Sequence, residues 1–147
     1  MKKIILTLLS IALIFSQLMA DEVQLSKSEE MDILKEEVEE TNIGLPIEVE
    51  PGVTIEKVLL EDKTIVYKVL MGKKTVGIDS SFLKNEEKMK FLSKRMKHRL
   101  KRKLKKTLCR NEYTQNFLKE DISFKYDYYF KGNIPLTSIF IDKNDCQ

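Results

Sequence analysis

The sequence offers few residues for site chemistry, and two cysteines and one histidine are the clearest of them. Cys109 and Cys146 stand far apart, and His98 lies among lysines and arginines. A structural zinc site takes four ligands, so these three residues do not supply one. The cysteines are not in a Cys-x-x-Cys motif, so thiol–disulfide exchange is not indicated either. In an oxidising compartment the same two thiols are expected to form one intramolecular disulfide.

Motifs for catalysis are also missing. The sequence contains no His-Glu-x-x-His pair, no glycine-rich phosphate loop and no nucleophile motif. Scattered carboxylates could meet in space, but their spacing in the sequence does not identify an acid–base pair. We therefore expect a protein that is not an enzyme, and we assign it no catalytic residue, no metal ligand and no cofactor.

The strongest local signal is the run KFLSKRMKHRLKRKLKKTLCRN at residues 90–111, in which nearly every second residue is basic. Cations at this density raise the local concentration of anions. Anionic lipid, lipopolysaccharide or an acidic protein would suit such a surface. Nucleic acid is disfavoured, because only His98 could stack on bases between Leu92 and Asn111. The candidate anion- or partner-binding residues of the run are Lys94, Arg95, Arg99, Arg102, Lys105 and Lys106.

A solvated face is the alternative interpretation of this run. Residues 21–62 carry 14 acids and 3 bases, whereas residues 63–110 carry 17 bases and 3 acids. The acidic segment could therefore neutralise part of the basic run, although single exposed pairs contribute only 0 to ~1 kcal/mol. Deleting residues 21–43 would then change the affinity for heparin or anionic vesicles.

A helix from about Phe82 to Cys109 is predicted to position the basic run. Apolar residues recur there at steps of three or four, which places them along one side of a 3.6-residue helix. That side is expected to cover a sheet and to leave the basic side outside. The apolar residues are Met89, Leu92, Met96, Leu100, Leu104 and Leu108.

Two hairpins are predicted around this helix. VTIEKVLLE and TIVYKVLM, at 53–61 and 64–71, form the first, while SFKYDYYF and IPLTSIFID, at 123–130 and 134–142, form the second. A short helix or turn is expected at EYTQNFLKED, residues 112–121. Alternation turns Tyr129 away from the apolar face of its strand, so Tyr129 is a candidate partner contact. The other aromatic residues of that strand are interpreted as core.

These elements predict an α+β domain over residues 45–147. The order β-β-α-β-β gives a four-stranded antiparallel sheet, covered on its apolar face by one long amphipathic helix. The disulfide would tie the end of the helix to the end of the last strand. Neither hairpin would be stable alone.

The chain begins with the pattern of a secretory signal peptide at residues 1–20. Two lysines precede an apolar run of about 12 residues, shorter than the ~20 needed to span a bilayer, so cleavage after Ala20 is favoured over an uncleaved anchor. Residues 21–44 form an acidic leader for which disorder and a marginal helix are equally compatible. A periplasmic or secreted location is expected.

A frame of residues across the domain resembles a recurrent group of small exported bacterial proteins with no assigned biochemical activity. The resemblance implies a periplasmic or secreted domain with one disulfide and carries over no catalytic residue. The basic helix departs from it, since members more often carry a less basic one. The frame consists of Leu45-Pro46, Thr54, Tyr67, Cys109, Asn111, Tyr126, Tyr129, Gly132 and Asp145-Cys146.

The function predicted from the sequence is therefore binding. The favoured interpretation is an exported, non-catalytic binding or adaptor module for a protein partner in the cell envelope. Its expected contact surfaces are the basic helix and the outward side of the aromatic hairpin. The alternative is an electrostatic binder of anionic lipid or lipopolysaccharide through the basic helix.

Overall fold

A computed structural model of the chain describes residues 26–147, so the predicted signal peptide and the first residues of the acidic leader lie outside the described residues. The helices are α1 (Lys27–Ile43), α2 (Glu86–Leu108) and α3 (Glu112–Lys119). The strands are β1 (Ile47–Glu50), β2 (Val53–Glu61), β3 (Thr64–Met71), β4 (Ser123–Phe130) and β5 (Ile134–Ile141). Short 3-10 turns lie at Lys73–Val76, Phe82–Lys84 and Lys143–Cys146.

The five strands form one mixed sheet in the order β1-β2-β3-β4-β5. Neighbours are antiparallel except β3 and β4, which are parallel because α2 and α3 together form the crossover between them. The α+β class and the single disulfide are confirmed. The prediction of four antiparallel strands covered by one helix is wrong, since the described residues contain a fifth strand, a parallel pair and three helices.

The sheet has one apolar face and one polar face. Ile65, Val69, Phe124 and Tyr128 point to the apolar face and are buried in the core. The core also takes Leu34 and Val38 from α1, Leu92, Met96 and Leu108 from α2, and Leu118 from α3. All three helices therefore contribute to covering this face, and none of the helices in residues 26–147 adds a side chain to the core from the opposite face, which we call the helix-free face.

Helix α2 begins later than predicted, because Phe82–Lys84 forms a 3-10 turn and Asn85 caps the helix. The Asn85 side chain accepts a hydrogen bond from the Lys88 backbone N–H at 2.9 Å. Acids in the first turn and lysines in the last turn suit the helix dipole. At the other end Cys109 is bonded to Cys146, with a Cα–Cα distance of 5.2 Å, so the helix end is fixed beside the end of β5.

Helix α1 is hydrogen-bonded to the edge of β2, beyond the stretch of β2 that pairs with β1. A capping box between Ser26 and Glu29 begins this helix. Near its end, the Asn42 amide donates to the Val58 carbonyl at 2.7 Å and accepts from the Val58 N–H at 2.9 Å. Pairing of β1 with β2 reaches only Ile55, so no strand within residues 26–147 pairs with these two backbone groups of β2. Asn42 therefore replaces a missing strand neighbour.

Removing the disulfide should destabilise the domain strongly. Replacing Cys109 and Cys146 by serine is expected to lower the free energy of unfolding by about 4 kcal/mol, because the bond closes a loop of 37 residues. Urea unfolding measures the change. A reductant should produce the same loss in the wild type and no further loss in the double variant. An unchanged urea midpoint in the double variant would contradict this account.

Removing the Asn42 side chain should loosen α1. Asn42→Ala is expected to lower the free energy of unfolding by about 2 kcal/mol, since two half-buried backbone groups of Val58 lose their partner. Thr41→Ala is the matched control, because the Thr41 hydroxyl donates only to the Glu37 carbonyl within the same helix. Equal urea midpoints for the two variants would show that the Asn42 contact is not stabilising.

Candidate functional site

The outward side of α2 carries a continuous row of exposed side chains. Helical spacing places them opposite the apolar stripe that contacts the sheet. Phe91 lies among the cations of this row and is 68 % exposed. We call this surface the basic ridge, defined by Phe91, Lys94, Arg95, His98, Arg99, Arg102 and Lys106.

Ion pairs neutralise the flanks of α2 rather than the ridge. Lys101 and Lys105 lie 2.9 and 3.7 Å from the Asp145 carboxylate, and Lys103 pairs with Glu50. Burial opposes ionisation of Asp145, but the Lys101 hydrogen bond, the Asp142 backbone N–H and the charges of Lys101 and Lys105 together outweigh it and hold the pKa of the carboxyl below its usual range. Within residues 26–147, no ridge cation forms an ion pair.

Within the described part of the chain, the acidic segment at residues 21–62 pairs with α2 through Glu50 alone. The acids paired with α2 in the described part of the chain are Asp145 and Glu50, and α1 contributes none. Instead α1 packs against β2 through its apolar side. The ridge is therefore a free cationic surface as far as residues 26–147 are concerned.

Two shallow, open hollows lie along the ridge and its edge. Basic side chains line each of them, and His98 and Arg102 belong to both. The first is lined by Lys97, His98, Lys101, Arg102 and Lys105, and the second by Arg95, His98, Arg99 and Arg102. Such hollows can hold a phosphate or carboxylate group between several cations at once.

The structure separates the candidate contact residues that the sequence predicted. Five of them lie on the ridge, whereas Lys105 turns to the flank and pairs with Asp145. Tyr129 lies on the helix-free face of the sheet, on the opposite side of the domain. The basic helix and Tyr129 therefore do not form one site.

Polar groups on the helix-free face are already paired with one another. Tyr129 donates its hydroxyl to the Glu56 carboxylate, and Lys68 donates to Asp127 at 2.7 Å. Ser138 donates to the other oxygen of Asp127. Burial and the bond to Glu56 raise the pKa of Tyr129 to about 12. A partner at this face would have to compete with these bonds.

A second group of aromatic residues lies on the helix-covered face, where Tyr67 and Tyr126 are half-buried and Tyr128 is buried. Helix α1 packs on β2 and α2 packs on β5, which leaves the central strands β3 and β4 between them. Tyr67 and Tyr126, paired in register there, stack with their ring centres 4.7 Å apart, and Tyr128 follows at 6.4 Å from Tyr126. We call these three residues the tyrosine gap.

The hydroxyls of the tyrosine gap are available for bonding. None of the three forms a hydrogen bond with residues 26–147, and none of their hydroxyl oxygens is completely closed off from solvent. Burial raises the pKa of Tyr67 to about 12, and it also raises the pKa of Tyr126 and of Tyr128. All three are therefore neutral donors at physiological pH.

An acid of α1 borders this region. Burial and the neighbouring charge of Glu40 raise the pKa of Glu37 to about 7. Burial also raises the pKa of Tyr113 on α3, and the charge of Glu37 adds to that shift. The border between α1 and α3 therefore contains a carboxyl group that is partly protonated near neutral pH.

Sequence reasoning missed two of these features. Phe91 is adjacent to Leu92 of the apolar stripe, and only the start and direction of α2 show that its ring points outward. The stacking of Tyr67 on Tyr126 depends on the parallel register of β3 and β4. The alternation in each strand indicated which residues of that strand share a face. It could not show that the two hairpins pair with each other through β3 and β4.

Two kinds of feature are absent from residues 26–147. No group of three or more His, Cys, Asp or Glu side chains in that range is placed to hold a metal ion. No helix of the described range combines the length and the apolar character that a membrane span requires.

Comparison with known proteins gives matches in fold. No family model and no curated protein sequence matches the chain. Solved structures with a similar fold include a Pseudomonas aeruginosa protein inferred to be secreted, at 15 % identity and a TM-score of 0.63, covering 85 % of this chain and 99 % of its own. They also include the pilotin EpsS of the Vibrio vulnificus type 2 secretion system, at 10 % identity and a TM-score of 0.59. A third is the Vibrio cholerae type II secretion system pilotin AspS, at 12 % and 0.53.

Each pilotin match covers 78 % of this chain and 89 % of the pilotin chain. At these identities the likeness concerns the fold alone. The chain therefore has an architecture that is similar to that of secretion-system pilotins and of a protein inferred to be secreted.

Proposed function

We propose that this chain is an exported, non-catalytic adaptor that binds a protein partner in the bacterial cell envelope. The observation that carries the proposal is the fold similarity to two pilotins, each of which belongs to a type 2 secretion system. The disulfide between Cys109 and Cys146 suits an oxidising compartment such as the periplasm. The predicted signal peptide at residues 1–20 supports export.

The tyrosine gap is the contact surface that best suits such a partner. Tyrosine rings give large contact area with little loss of side-chain freedom, and their hydroxyls add directional bonds. Tyr67 and Tyr126 are held by their stack and by the sheet. The helices on either side are fixed as well, α1 through Asn42 and α2 through the disulfide. Because these side chains are already held in place, less entropy is lost when a partner binds to the tyrosine gap.

Tyr129 is the second candidate contact, on the other face of the sheet. Its hydroxyl already donates to Glu56, so a partner would gain less there than at hydroxyls without a bond. Of the two aromatic surfaces, we therefore assign the partner contact to the tyrosine gap and use the Tyr129 surface as the control.

Crosslinking in cells tests the proposal. A photoreactive phenylalanine analogue at Glu40, which is exposed on α1 near Glu37, should capture one discrete envelope protein. The same analogue at Phe140, which is 47 % exposed on the helix-free face, is the matched control and should not capture it.

The hydroxyls should matter for that capture. Tyr126→Phe keeps the ring and removes one hydrogen-bond donor, so it is expected to weaken capture about fivefold. Tyr129→Phe should leave capture unchanged. Capture of the protein from Phe140 but not from Glu40, or of no protein from either position, would overturn the proposal.

A further inference from the structure

We propose that the basic ridge is a docking surface for a bilayer rich in anionic phospholipid, with Phe91 entering the interface between headgroups and acyl chains. This inference goes beyond the adaptor function and uses a different surface. It concerns binding on the membrane surface, with α2 still packed on the sheet. Three observations support it.

The first observation is the position of Phe91. His98 and Arg102 follow it at seven and eleven residues, so the three side chains lie nearly in one line along α2. The ring is 68 % exposed in this row of cations, and the apolar stripe of the helix points the other way. Exposure to water makes an isolated aromatic ring here unfavourable. A membrane interface, where aromatic rings and basic side chains both bind, removes that cost.

The second observation is the uncompensated charge. Asp145 and Glu50 pair with lysines on the flanks, whereas the ridge cations have no acid within 4.0 Å in residues 26–147. Near an anionic bilayer each lysine or arginine strengthens binding about fivefold. The ridge carries five lysine and arginine side chains, Lys94, Arg95, Arg99, Arg102 and Lys106.

The third observation is shape. The ridge runs along the outer side of α2 from position 91 to position 106, about 23 Å at 1.5 Å per residue, and its hollows are shallow and open. A plane of phosphate groups can contact such a surface along its whole length. A protein partner would need a continuous acidic surface of matching length. Charge and shape together favour the bilayer.

Tryptophan fluorescence provides a direct test, because the chain contains no tryptophan. Phe91→Trp and Phe140→Trp each place one fluorophore, on the ridge and on the helix-free face. The proteins are purified from the exported fraction and mixed with phosphatidylcholine vesicles, with or without phosphatidylglycerol. We expect a blue shift for the tryptophan at position 91 with the anionic vesicles only, and no shift at position 140. Equal shifts at both positions, or none at position 91, would overturn the proposal.

Charge reversal tests the electrostatic part. Replacing Arg99, Arg102 and Lys106 by glutamate is expected to weaken sedimentation with anionic vesicles by more than 100-fold. Reversing Lys57, Lys63 and Lys131 is the matched control, because it changes the net charge equally away from the ridge and should cost less than threefold. Thermal unfolding by circular dichroism verifies that both variants fold.

Further outcomes would also decide against the bilayer. Equal loss in both triple variants would mean that net charge alone is sensed. Binding of heparin without binding of anionic vesicles would indicate a soluble polyanion or an acidic protein as the ligand. Binding that persists at 1 M salt, where the Debye length is about 3 Å, would exclude electrostatic docking. Because no protein partner is present, failure of this test leaves the adaptor proposal standing.

Discussion

Burial of one apolar sheet face against α2 is the interaction on which the rest of the molecule depends. Ile139 and Ile141 of β5 and Phe130 of β4 are fully buried on or beside this face, and Leu92, Met96 and Leu108 of α2 pack into the same core. Once that stripe faces inward, the lysines and arginines between its members must face outward. The basic ridge is thus a geometric consequence of how the sheet is covered.

The disulfide attaches α2 to the sheet, and Asn42 attaches α1 to it. Cys109 follows the last turn of α2, and its bond to Cys146 prevents that turn from separating from the end of β5. Asn42 attaches α1 to the one stretch of β2 that β1 does not pair with. Between the two attached helices, the central strands present the tyrosine gap. The ridge and the gap therefore occupy the same half of the domain, away from the polar face around Tyr129.

Much of the local structure could be predicted from periodicity. Strands β2, β3 and β4 have the predicted bounds, because β-branched and aromatic residues alternate there between clear turns. The stripe from Leu92 to Leu108 likewise identified α2. By contrast, β1 has four residues, three of them exposed, and so lacks a periodic signal. The parallel pairing of β3 with β4 could not be predicted, because tertiary packing decides which strands of the two hairpins become neighbours.

The surfaces were less predictable than the fold for a similar reason. Lys94 to Lys106 could be assigned to the outside from composition, but which cations stay unpaired depends on where Asp145 and Glu50 lie in space. Alternation predicted that Tyr129 points away from the apolar face. Its hydrogen bond to Glu56 could not be predicted, because it joins residues far apart in sequence. Long-range contacts of this kind decide which side chains remain available to a ligand.

In the binding mode that we propose, α2 stays on the sheet while its outer side contacts the ligand. Amide hydrogen exchange of the disulfide-intact protein, with and without anionic vesicles, measures this directly. We expect the amides from Leu92 to Leu108 to remain as protected as those of β5 in both conditions. Faster exchange of β5 and of the α2 amides when vesicles are added would show that the helix leaves the sheet, and would contradict the account.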